Sequence, residues 1–134
     1  MEREIEFRGK RLDSGEWLYG DLMHDNHHGC YVYPNDCTGL YTENKVNPDT
    51  VGQYTGMNDK NDKKIFEGDI IRVHDEDGID IGVVRYNEDF GKYICVYSEI
   101  SGNWFDFEGT NGEFLASFCS EVIGNIYDTP ELLK

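Results

Sequence analysis

The chain has 134 residues, and 27 acids against 12 lysines and arginines give it a formal charge of −15. That balance disfavours direct binding to DNA or RNA, which gains affinity by neutralising phosphates, and disfavours anionic membrane surfaces for the same reason. No apolar run approaches the roughly 18 residues a membrane helix needs, and the start, Met1 to Glu6, has no apolar signal region. The expectation is a single domain over residues 1–134 in the cytoplasm, its four cysteines free thiols.

Nine Tyr, seven Phe and two Trp beside 15 Gly point to strands and tight turns. Ile5 to Arg8 alternates, Asp13-Ser14-Gly15 turns the chain, and Trp17 to Gly20 returns as the second arm of a hairpin. His24 to Gly29 reads as a polar loop, and Cys30 to Tyr33 as a strand stopped at Pro34. Asn47 to Thr50 is a loop or short helical turn, and Val51 to Thr55 is extended. Asn58 to Lys63 turns the chain, and Ile65 to Val73 follows as strand around a Gly68-Asp69 corner. After a turn at Asp75 to Gly78, the segments Ile79 to Tyr86, Tyr93 to Tyr97 and Trp104 to Phe107 form a meander. The spacing of Phe114, Leu115, Phe118 and Val122 predicts one helix over Glu113 to Val122, with Thr110 or Asn111 as its cap. Ile123 to Tyr127 is again strand-like. The fold class expected is α+β, mainly β: a small, strongly curved sheet or partial barrel of short antiparallel strands, capped by that helix.

Two segments, "TVGQYTGMNDKNDKKIFEGDII" (Thr50 to Ile71) and "VIGNIYDTPELL" (Val122 to Leu133), resemble the signatures of the YopX family. The opening "REIEFRGK" and "WLYGDL" fit that family's N-terminal hairpin, so the resemblance spans essentially the whole chain. It implies a mainly β fold and a phage or prophage setting, hence a bacterial host cytoplasm. It implies no activity, cofactor or catalytic residue. Within the motif, Gly68 lets the backbone bend and Asp69 bonds a nearby backbone N–H. Gly52 and Gly56 serve close approach or positive φ, and Val51, Tyr54, Ile65, Phe66, Ile70 and Val73 form core. Asn61-Asp62 stands where the family is expected to favour Asn-Gly, which makes Asp62 a candidate for strain.

His24, His27, His28, Cys30 and Cys37 are zinc-ligand types, but no Cys-x2-Cys pair set exists, so a solvated loop is expected and no metal site. Cys95 and Cys119 read as ordinary buried thiols. Asp75-Glu76-Asp77-Gly78 with Asp80 fails the EF-hand register and is expected to be a hairpin turn. Ser98, Ser101, Ser117 and Ser120 lie in no nucleophile elbow, no phosphate loop occurs, and no carboxylate pair stands out among the acids.

Three function classes follow. The first is a non-enzymatic phage accessory protein acting by protein–protein binding or self-assembly. The second is an acidic inhibitor, or DNA mimic, of a host DNA-binding protein, since 13 acids face only three basic residues over positions 75–134. The third is a small enzyme. The aromatic surplus favours a homo-oligomer, with Tyr31, Tyr33, Tyr41, Trp104 and Phe105 as candidate contacts; a bacterial or phage protein is the other partner expected.

Overall fold

Short alternating segments and Gly- or Asx-centred turns fold this chain into eleven strands among the residues that the computed structural model describes: 3–34, 41–75, 78–98, 103–106 and 119–133. The chain divides into two compact units, Met1–Tyr54 and Thr55–Lys134.

In the first unit, β1 (Phe7–Lys10) pairs with β2 (Trp17–Asp25) from Phe7↔Gly20 to Lys10↔Trp17, the expected opening hairpin. β2 continues against β3 (Gly29–Tyr33), β3 against β4 (Lys45–Val46), and Gly52 and Gln53 of β5 (Gly52–Asn58) against β1. Because side chains alternate, Leu22↔Val32 and Cys30↔Val46 fall on one face. There Cys30, Val32 and Val46 form a buried core, with Leu18, Leu22 and Val51 packed on it. The polar loop expected over His24 to Gly29 is shorter than the sequence implied, because His24↔Cys30 and Asp25↔Gly29 still pair and only Asn26 to His28 turn. Of the loop or short helical turn expected over Asn47 to Thr50, the structure has the turn, a 3-10 segment Pro48–Thr50 capped by Asn47, and Thr50 Oγ1 ties it to the Lys10 N–H at 2.9 Å.

The second unit opens with the rest of β5, then β6 (Lys64–Phe66). β7 (Asp69–Asp75), β8 (Gly78–Asn87), β9 (Lys92–Ser98) and β10 (Asn103–Asp106) form the expected meander, and β11 (Ser120–Asn125) pairs with β7. The strand order is β10-β9-β8-β7-β11. Ile65, Ile71, Val73, Val84 and Cys95 are its buried cluster, joined by Met57, Tyr93, Tyr97, Cys119 and Val122. The corner between β6 and β7 behaves as its residues dictate: Gly68 takes φ 86°, and Asp69 Oδ2 accepts from the Phe66 N–H at 2.8 Å.

Two expectations are corrected. The sheets are two and open, with strands of unequal register at their edges, rather than one curved sheet or partial barrel. The helix cap is not seen. Ser120, Glu121 and Val122 pair instead with Val73, Arg72 and Ile71. Residues 113–118 and the caps Thr110 and Asn111 lie outside the described residues; of the rest of the expected span, Cys119 is helical and Ser120 already begins β11. The physical reason at Ser120 to Val122 is that the β7 edge supplies a ladder of backbone hydrogen bonds, which outweighs Val122's place on a helical spacing.

Candidate functional site

The residues with zinc-ligand chemistry are separated by the β2–β3 hairpin. Cys30 points its thiol into the first core, whereas His27 and His28 sit in the turn. Asp25 organises that turn: its Oδ1 accepts from the His27 N–H at 2.9 Å and its Oδ2 meets His28 Nδ1 at 2.8 Å. These bonds, the backbone one first, hold the Asp25 carboxyl below its ordinary range. Cys37 lies outside the described residues. Among the described residues, no three His, Cys, Asp or Glu side chains converge as metal ligands.

The acid run at Asp75 closes an antiparallel hairpin, Asp75 opposite Gly78, as expected; Glu76 and Asp77 lie outside the described residues. Ser120 is buried in β11, Ser98 ends β9, and Ser101 and Ser117 are not among the described residues. Cys95 is buried in the second core, and burial, with Asp80 as a smaller influence, raises its pKa far above the thiol norm. A thiol held neutral in this way is a poor nucleophile.

Of the aromatic contact candidates, Tyr31 is only 2% exposed and stacks on Tyr33 at 6.4 Å, so it has no ring face to offer a partner. Tyr33 is half-buried, and the side chains of Tyr41, Trp104 and Phe105 lie outside the description.

What the sequence reading missed is a pair of apolar side chains at the β7–β8 hairpin end. Ile79 is 59% and Ile81 37% exposed. They are two residues apart on β8 and so share a face, about 7 Å from each other. Their cross-strand partners are His74 and Arg72. Arg72 is already engaged: its Nη2 donates to Glu121 Oε2 at 2.8 Å, and Lys60 Nζ lies 3.8 Å from the same oxygen. That contact with Arg72 is the main reason the Glu121 carboxyl titrates below its ordinary range. The signal was legible as alternation in Ile79-Asp80-Ile81, but alternation alone does not say which face meets a core.

The turn between β5 and β6 holds a buried carboxylate. Asp59, 4% exposed, accepts from the N–H groups of Asn61 and Lys63 through Oδ1, both at 2.9 Å, and from the Val122 N–H through Oδ2 at 2.9 Å. The Lys60 N–H donates to the Ser120 carbonyl at 3.0 Å. The β5–β6 turn is thus stitched to β11, which places Glu121 beside Arg72.

Among the described residues these features define an antiparallel β-protein of two sheets, with exposed apolar side chains on β8. The chain belongs to the YopX family, whose model, described as YopX protein, matches residues 6–134. Its structure is similar to the crystal structure of protein EF1440 from Enterococcus faecalis, with a TM-score of 0.61 over 98% of this chain and 99% of that chain. The two are 20% identical, so the likeness is one of fold. No curated relative matches the sequence.

Proposed function

We propose that this is a non-enzymatic accessory protein of a phage or prophage, working in a bacterial cytoplasm through protein–protein contacts, self-association included. The observation that carries the reading is the exposed apolar surface of the second unit: Ile79, Ile81, Tyr86 and Phe90, the last 63% exposed. These side chains lie at both ends of β8, and association with a partner would remove their apolar surface from water. The formal net charge of −15 disfavours duplex DNA as that partner, because such binding gains its affinity by neutralising phosphates.

Light scattering behind a sizing column tests self-association, and affinity capture from the bacterial host tests other partners. A stable mass that is a multiple of 15.5 kDa, or a protein captured in fixed stoichiometry, supports the reading. A monomer at every concentration with no stoichiometric protein companion overturns it.

A further inference from the structure

We infer that Asp59 and Lys60 seal the outer edge of β11 against strand pairing, and that a chain in which this seal is broken pairs there, antiparallel, with β11 of a second copy. The device is separate from the apolar contact proposed above, since it concerns an edge that the native chain keeps closed.

Among the described residues β11 ends its sheet, in the order β10-β9-β8-β7-β11, and an edge strand presents backbone groups on which another chain can build. Along β11 those outward groups are taken by turns. At its start, the Val122 N–H donates to Asp59 Oδ2 at 2.9 Å, and the Ser120 carbonyl accepts from the Lys60 N–H at 3.0 Å. At its end, the Asn125 N–H donates to Thr129 Oγ1 at 3.1 Å, and the Asn125 carbonyl accepts from the Thr129 N–H at 2.9 Å. The second turn follows directly from the strand and moves with it. The first arrives from 63 positions earlier and hangs on one buried carboxylate, whose Oδ1 holds the turn through Asn61 and Lys63 while Oδ2 holds the strand. Pairing of the freed edge with its own copy needs no second sequence, because about a two-fold axis Val122 exchanges N–H and C=O bonds with the same residue of the copy. Charge here does not oppose that approach: Lys60, Lys63 and Arg72 stand against Asp59, Asp62 and Glu121, in a chain of net −15.

Asp59→Asn separates the two tasks of the carboxylate. With its oxygen kept on the Asn61 and Lys63 N–H groups, its amide nitrogen faces the Val122 N–H, donor against donor. Lys60→Pro removes the other bond of the seal. Lys60 is the second residue of the turn that the Asp62 N–H closes on the Asp59 carbonyl, a position that suits proline, so this variant keeps its fold even where Asp59→Asn does not. Hydrogen exchange in dilute 15N-labelled protein is expected to speed up about tenfold at Val122 in Asp59→Asn, with the amides of β8 and β9 at the parent's rates. Light scattering behind a sizing column is expected to give both variants a mass that climbs with concentration to twice the parent's. In that dimer the Val122 amide is expected to be protected again.

Fast exchange at Val122 with a mass equal to the parent's at every concentration is an open edge that does not pair, and overturns the inference. So does a dimer whose Val122 amide stays unprotected, which places the contact elsewhere. Exchange at the parent's rate in both variants overturns it as well, because the seal is then not made by Asp59 and Lys60. The parent's own mass is the reference throughout, so none of these outcomes depends on the apolar contact proposed above.

Discussion

Asp59 and Val122 are 63 residues apart in sequence and joined by a 2.9 Å hydrogen bond from the Val122 N–H to the Asp59 carboxylate. The same carboxylate closes its own turn through Asn61 and Lys63, so one side chain serves a local and a distant segment. Asp59→Ala is expected to destabilise the protein by about 2–4 kcal/mol, because three N–H donors lose their carboxylate acceptor at a position where the carboxylate itself is buried. Urea denaturation reads this as a lower midpoint at unchanged slope. A midpoint within error of the parent would show that water replaces the carboxylate without cost.

Asp62 occupies φ 63°, a conformation that suits glycine better than aspartate. Its Oδ1 also accepts from Asn58 Nδ2 at 2.8 Å in an exposed setting, which repays part of that strain. Relief of the backbone exceeds the loss of one exposed hydrogen bond, so Asp62→Gly is expected to be neutral or to stabilise by up to about 1 kcal/mol. Thermal melting decides it, and a drop of several degrees would mean the Asn58 bond dominates.

The acid limb of stability should run partly through Glu121. Its folded-state pKa lies below the ordinary value of 4.5, so its contribution is complete above that pH and is lost as pH falls through the depressed value. Asp25 and Asp13 act in the same direction from an ordinary value of 3.8, through the β2–β3 turn and the Arg11 pair respectively. Denaturation midpoints measured from pH 7 to pH 3 should therefore fall below about pH 4.5, and fall less in Glu121→Gln. A parallel fall in both proteins would remove Glu121 from the explanation.

Thiol labelling separates the cysteines. Cys95 is buried and its thiol is held protonated, so an aromatic disulfide reagent at pH 8 should leave it unmodified until the protein unfolds. Cys30 is buried too and should be protected, while Cys119 is only half-buried and should react sooner. Peptide mapping after a short pulse reads the order. Rapid native labelling of Cys95 would mean that the second core opens readily.

Gly82 on β8 has no room for a side chain: a Cβ there would lie 2.5 Å from Cys95 Sγ and 2.8 Å from the Val96 carbonyl oxygen. The carbonyl belongs to backbone and cannot swing away. Gly82→Ala is expected to cost about 1–3 kcal/mol by overpacking, read as a lower denaturation midpoint. A stability gain, the usual result of Gly→Ala in a strand, would show that the two strands separate to admit the methyl group.

Much of this fold is written in local pattern. The opening hairpin, the Asn47 cap, the Gly68-Asp69 corner and the strands β7 to β10 each follow from a turn residue and an alternating run that neighbour one another in sequence. Val122 is the instructive failure. It falls on a helical stripe with Phe114, Leu115 and Phe118, yet it pairs with Ile71, about fifty positions earlier. No local window contains that partner. Asp59 was hidden for the same reason: in sequence it is one polar residue of a turn, and its third hydrogen bond comes from β11. The resemblance to the YopX family was legible because its motifs are long, whereas the exposure of Ile79 and Ile81 depends on what fails to pack over them.

The strand order β10-β9-β8-β7-β11 also sets a timetable. Strands β7 to β10 zip up from adjacent hairpins with little loop entropy, but β11 must return across the intervening chain to pair with β7. Until it does, β7 is a bare edge lined by Ile70, Ile71 and Val73, and during synthesis that edge waits for Ser120 to Asn125 to leave the ribosome. A chain cut short before Ser120 should therefore be lost to cross-chain strand pairing and proteolysis rather than accumulate as a smaller folded protein.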